Sequence, residues 1–476
     1  MAVDGEAKLS LVTLTGMVVG SMVGAGIFSL PQAFGKATGP LGAIIAWTIA
    51  GIGMLMLALV FQTLAQRRAD LDAGIFMYAR EGFGNYLGFL SALGYWAAAL
   101  LGNVTYFILV KSTLGLFFPA FGDGNTLVAV ATSSVLLWVF HSLILRGIRQ
   151  ATALNTVVTI AKLLPILVFL LLVLMAFDWE TFRESFWGAD EAGLGILASQ
   201  VRNTMLVTVF VFVGIEGASV YSRYARKRTD VGTATVGGFL FVLALMLAVT
   251  LLSYGVMPKE ELAQLRNPSM AGVLAAVTGP WGAIFVSIGL VISVAGAYIA
   301  WVLLAAEILY SAATHKTMPR FLARENSSGV PANALWLTNI IVQLFLIVSM
   351  FSDYAFMLAV AMTSSMILVP YLLVAAFGVK TALQGDSSFA QVGHNSAETI
   401  QSLLALIYTS GLIYAAGVKY LLLTTLIYVP GTLLFLMARS EQGVGIFNYV
   451  ELIVFAILSF GFCAVIFSIT KGYMTI

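Results

Sequence analysis

The 476-residue sequence is 60% hydrophobic and 10% charged, with a net charge of +2 and a mean hydropathy of +0.98. So little polar surface cannot cover a soluble globule, and the chain reads as a polytopic membrane protein. A single cysteine, Cys463, excludes an intramolecular disulfide. His141, His315 and His394 are too scattered for a metal site, so neither metal nor cofactor is expected.

A spanning helix needs about 20 mostly apolar residues. On that length the chain divides into spans near 10–34, 41–65, 86–118, 126–145, 153–177, 200–222, 232–256, 281–313, 332–352, 354–378, 401–417, 419–438 and 446–470, about thirteen transmembrane helices in an all-α architecture. The opening MAVDGEAKLS runs into the first span without a small-residue cleavage site and is not read as a removable signal. The stretch LALIYTSGLIYAAGVKYLLLTTLIYVP around Gly417 can be cut in other ways, but its length suits a tight helical hairpin. The longest polar segments, 178–199 and 379–400, are too short to build a soluble domain.

Lys and Arg are retained in cytoplasmic loops. With the N-terminus inside, 15 of the 24 fall in inside segments, seven outside, and Lys111 and Lys162 within spans. That split favours a cytoplasmic N-terminus, and an odd number of spans then puts the C-terminus outside. The basic stretch SRYARKR reads as topology and not as a nucleic-acid contact.

The first span contains GMVVGSMVGAGIFSLP, with Gly16, Gly20, Gly24 and Gly26. Gly16 and Gly20 fit a GxxxG packing face as well as they fit anything else. Gly24 and Gly26 stand two apart, a spacing that serves backbone freedom better than a contact stripe and suggests an interrupted helix. Irregular backbone at membrane depth is tolerated where it lines a cavity, so the interruption is a candidate binding site. The sixth span repeats the feature: FVFVGIEGASVYSR sets Gly214 and Gly217 around the intramembrane acid Glu216. Five spans separate the two breaks, as an inverted five-plus-five repeat requires. Residues 1–177 then form the first half, 200–380 the second, and 399–476 the added spans.

The motifs GSMVGAGIFSLP, AGIFMYAREGFG, GYWAAALLGN, FVGIEGASV and WVLLAAE resemble, in order over residues 10–380, those of the amino acid–polyamine–organocation superfamily. Within it the sequence is most similar to the basic amino acid/polyamine antiporters, above all the bacterial arginine/ornithine exchangers. The resemblance implies a LeuT-like fold in the bacterial inner membrane, with lipid and small cationic amino acids as partners, no nucleic acid, and room for a homodimer.

It also implies a site. The substrate carboxylate would meet Ala25, Gly26 and Ile27 at the first break, and the ammonium the carbonyls of Met22, Phe210 and Val213. Asn103, Thr363 and the carbonyls of Ala98 and Ala99 would take the cationic side chain, with Trp301 over its aliphatic part. For Asn103 an interhelical hydrogen bond explains the residue equally well. Glu216, Tyr95, Tyr371, Glu307 and Lys162 are the gating or coupling candidates, and Lys162 stands where sodium-coupled relatives hold the ion, so no sodium dependence is expected. Lys111 is assigned no role beyond snorkelling. Phe210, Ala25 and Phe76 depart from the arginine/agmatine pattern, which favours the arginine/ornithine branch over an acid-resistance role.

The function expected is alternating-access exchange of cationic L-amino acids, arginine for ornithine, and not an enzymatic activity. A lysine or histidine/amine exchanger and a proton-coupled importer are the alternatives. A channel lacks any repeated filter here, and an enzyme lacks a nucleophile with its base.

Overall fold

The computed structural model describes residues 10–474 except 69, 72–73, 148–150, 189–192, 217–227, 353 and 385–395. Among these residues the regular structure is helical, with no strand. Helix α1, Leu11–Met22, starts on the Ser10 hydroxyl, which accepts from the Thr13 amide. After it the chain bends by 42° into a short 3-10 turn, Gly26–Ser29, that runs on as α2, Leu30–Ala37. Helix α3, Pro40–Arg67, opens with proline at its first position, where the missing N–H costs nothing. A short helix α4, Ile75–Phe83, set between glycines with positive φ, leads to α5, Asn85–Gly115. The most apolar window of α5 is 94% buried against 33% for α6, Leu127–Leu145, so α5 is the centre of the molecule and α6 its edge.

Helix α7, Ala151–Met175, carries Pro165 inside, and α8, Trp179–Glu184, is capped by Asp178. The sixth expected span is α9, Leu194–Phe212, which begins earlier than residue 200. It can do so because its polar side chains are satisfied: Gln200 donates to the Trp187 carbonyl (3.2 Å) and accepts from the Thr38 hydroxyl (2.8 Å). Then follow α10, Arg228–Ser253, two short helices, α11, Lys259–Gln264, and α12, Ser269–Thr278, and the long α13, Pro280–Thr314. The chain closes with α14, Ala332–Val348, α15, Ala355–Gln384, α16, Ser396–Gln442, and α17, Tyr449–Thr470.

A straight helix over Ser396–Gln442 would be about 70 Å long, more than twice a hydrocarbon core of about 30 Å. It breaks at Gly417, where φ 75° and ψ 166° suit only glycine. Glu398 near the start of α16 pairs with Arg67 at 2.7 Å, and Gln442 at its end donates to the Lys316 carbonyl at 2.8 Å. Those partners share one end of the molecule, since Arg80 of α4 donates to the His315 carbonyl at 2.7 Å. At the other end the Arg202 guanidinium lies over Tyr414, 5.2 Å from its centroid, beside Gly417. Helix α16 is therefore the hairpin expected from its length.

Among the described residues ten helices are long and apolar enough to cross a membrane, or eleven with the bent first pair counted as one span. The expected count of thirteen exceeds this by two. Two segments lie behind the difference: α7 enters the test only through residues 161–175, and α16 is counted once despite its break.

Packing around the centre positions the breaks. Helix α5 packs against α13 and α15, while α1 lies against α7, α10 and α13, and α3 against α9 and α10. Apolar side chains such as Leu164, Leu171 and Ile288 stay more than half exposed, as the lipid-facing surface of a spanning helix requires.

Candidate substrate-binding site

Both breaks are local consequences of glycine. At the first, α1 ends at Met22, Val23 leaves helical geometry (ψ 88°), and the Gly24 amide turns back to the Met22 carbonyl at 2.9 Å. The amides of Ala25, Gly26 and Ile27 head the next helical turn, where a helix offers its own N–H groups no partner and its dipole favours an anion. Any side chain at Gly26 would begin 2.7 Å from Val211 Cγ1, and at Gly24 2.7 Å from the Tyr106 hydroxyl. At the second break α9 ends at Phe212, and Gly214 adopts φ 109° with Ser21 backbone packed 2.9 Å from where a Cβ would stand. Gly217, the other glycine of this break, lies outside the described residues. The Ser21 hydroxyl donates to the Gly214 carbonyl (2.9 Å) and so ties the two breaks together.

Between them lies a cavity of about 20 Å³, room for about one water. The first break supplies Ser21, Met22, Gly24, Ala25 and Gly26 to its wall, and α5 supplies Ala98, Ala99, Gly102 and Tyr106. Helix α9 and its end add Phe210, Val211 and Val213, α13 adds Trp301, and α15 adds Thr363. Among the described residues no lining side chain carries a formal charge, and the groups that face a ligand's charge there are dipoles.

Towards the Asn85 end of α5 stands a hydrogen-bonded carboxylate. Tyr95 of α5 donates to Glu216 Oε1 at 2.5 Å, Tyr371 of α15 donates to Oε2 at 2.8 Å, and the Gly214 amide reaches Oε2 at 3.2 Å. All three side chains are at least 98% buried. Towards the other end of α5 a second, polar cavity of about 300 Å³ is lined by Ile108, Ser112, Ser352 and Ala355 among others. A buried hydrogen-bonded carboxylate thus stands towards one end of α5 and a polar cavity towards the other.

Lys162 of α7, 1% exposed, donates its ammonium to the Gly20 carbonyl. Gly20 is among the last residues of α1, whose carbonyls lack helical partners and sit at the negative end of the dipole, so the cation fills a vacancy that the break creates. Trp301 reaches the next carbonyl, that of Ser21, at 3.4 Å.

Residues 9–386 match the model of the amino acid permease family. The chain belongs to that family. It is 49% identical to the arginine/ornithine antiporter of Pseudomonas aeruginosa over the whole of both chains. It is 46% identical to a putative arginine/ornithine antiporter of Escherichia coli, covering 92% of this chain and 93% of that one. The L-lysine transport protein of Corynebacterium glutamicum is 40% identical over 98% of this chain and 96% of its own length. The family and these relatives are transporters, and with the apolar helices they make this chain a multi-pass membrane protein.

Nine of the eleven binding candidates line the small cavity of this permease: Met22, Ala25, Gly26, Ala98, Ala99, Phe210, Val213, Trp301 and Thr363. Ile27 and Asn103 are not among the lining residues, and both are fully buried. Neither polar atom of the Asn103 amide has a partner among the described residues, so the interhelical hydrogen bond that is its other explanation is not made. Of the gating candidates, Tyr95, Glu216 and Tyr371 meet and Lys162 reaches the first break. Glu307 does not join them: it sits on the exposed face of α13.

Ser21, Gly102, Tyr106 and Val211 also line the cavity and were absent from the sequence reading. Gly102, adjacent to Asn103, was within reach of that reading. Tyr106 was not, because its hydroxyl reaches the first break across an interhelical gap that periodicity does not encode. Among the described residues nothing lies within 4 Å of where a Gly16 side chain would start.

Proposed function

We propose that this permease exchanges cationic L-amino acids by alternating access, taking up arginine and releasing ornithine. The observation that carries the reading is the meeting of two glycine-made helix breaks at one uncharged cavity. A zwitterion needs donors for its carboxylate and acceptors for its ammonium, and broken helices offer both without an ionised side chain. Ala25, Gly26 and Ile27 take the carboxylate, and the carbonyls of Met22, Phe210 and Val213 the ammonium. Ala98, Ala99, Asn103 and Thr363 serve the cationic side chain, for which the unsatisfied Asn103 amide is a ready acceptor. The pair arginine and ornithine follows from the 49% identity to a protein of that name over the whole chain.

The Glu216 clamp acts as the gate on one side, and its opening with closure of the polar cavity is the alternating step. Lys162 takes the place of a coupling sodium. The halves 1–177 and 200–380 form the inverted repeat, and 399–476 adds further spans, thirteen in all. We assign the protein to a bacterial inner membrane with the N-terminus cytoplasmic and the C-terminus external, a reading that the distribution of Lys and Arg supports.

The test is uptake of radiolabelled L-arginine into sodium-free proteoliposomes at zero potential, loaded with L-ornithine or with no amino acid. Uptake should appear only with internal ornithine. Equal uptake into empty vesicles would exclude an exchanger. The relative that transports lysine supports a second substrate reading, and L-lysine belongs among the competitors.

A further inference from the structure

The small cavity has four lining side chains that can donate a hydrogen bond: Ser21, Tyr106, Trp301 and Thr363. Three of them already donate within the protein. The Ser21 hydroxyl donates to the carbonyls of Val18 and Gly214, Trp301 Nε1 to that of Ser21, and the Thr363 hydroxyl to that of Ala359 at 2.7 Å. The Tyr106 hydroxyl has no hydrogen-bond partner among the described residues, although the residue is only 6% exposed. It lies at the first break, 2.7 Å from where a Gly24 side chain would start, next to the backbone whose amides lack helical partners. A hydroxyl that faces a cavity without a protein acceptor is free to donate to a ligand oxygen placed there.

We propose that Tyr106 is a substrate-contacting specificity residue. Its hydroxyl donates to the α-carboxylate bound at the first break, and so selects amino acids over amines that lack the carboxylate. This rests on the substrate class proposed above. It assigns to Tyr106 what backbone amides alone do poorly, since amides at a helix start attract any anion, whereas a side-chain donor at a fixed point requires a carboxylate in register with the rest of the substrate.

The experiment compares the purified full-length chain with Tyr106→Phe, which removes one oxygen and keeps the ring. Binding of radiolabelled L-arginine is competed with L-ornithine, with agmatine, which is arginine without its carboxylate, and with L-argininamide. The loss of one hydrogen bond to a charged group should raise the Kd for arginine and ornithine at least about tenfold. The value for agmatine should stay unchanged and that for argininamide, whose carbonyl is a neutral acceptor, should rise less, so that the preference for arginine over agmatine falls by the same factor. Gly24→Ala, which displaces the phenol without altering it, should reproduce the selective loss and serves if Tyr106→Phe does not fold. Unchanged arginine affinity, or equal weakening of arginine and agmatine, would overturn the assignment. So would a wild-type protein that binds agmatine as tightly as arginine. A wild-type protein that binds neither arginine nor ornithine would instead remove the substrate class on which the assignment rests.

Discussion

Gly26 has no room for a side chain, because Val211 Cγ1 already stands 2.7 Å from the Cβ position. Gly26→Val should therefore abolish arginine binding while the purified protein still elutes as a single species; normal affinity in that variant would remove the first break from the site. Glu216 is the other residue whose surroundings make a sharp prediction. Two phenols and an amide donate to its carboxylate, and a glutamine keeps the volume while turning one acceptor into a donor. Glu216→Gln should lower ornithine-driven arginine uptake at least about tenfold, consistent with losing a charge-assisted bond worth about 1.5–3 kcal/mol. Wild-type rates would mean that the clamp is not a moving part. Glu216 was legible in the sequence because an acid between glycines in an apolar run is rare. Its partners came only with the resemblance, since Tyr95 and Tyr371 stand 121 and 155 residues away along the chain.

Elements are decided by where backbone geometry fails. The break at the first span was legible because Gly24 and Gly26 defy the packing period, and the hairpin at Gly417 because one helix of that length exceeds the bilayer. The short helices α4, α8, α11 and α12 were not, since six to ten residues make too few turns to carry a measurable period. Gly417→Ala places a side chain at φ 75° and should cost about 1–3 kcal/mol, read as a lower melting temperature in detergent without loss of substrate selectivity. An unchanged melting temperature would mean that the turn relaxes freely. Lys162→Met leaves the Gly20 carbonyl at the end of α1 without its cation. Exchange should slow in the variant and stay indifferent to sodium in the wild type; a sodium requirement in the wild type would contradict the proposed part of the lysine.

The molecule as a whole has a clamped end and a hollowed end. Ser352 lies at the hollowed end and Ser440 beside the end of the α16 hairpin, near the clamped one. In a Cys463→Ser background, Ser352→Cys and Ser440→Cys should react with a membrane-impermeant maleimide from opposite faces of the vesicle. Labelling from one face would refute the thirteen-span topology. Exchange of two singly charged amino acids moves no net charge, so its rate should be the same at zero and at 100 mV, whereas one uncompensated charge would feel about 2.3 kcal/mol. The small cavity has a further consequence for the cell. An exchanger of this kind does not change sides empty, and its small chamber has room for only about one water. One-for-one exchange also keeps the number of dissolved particles inside constant, so uptake by this route should leave turgor undisturbed.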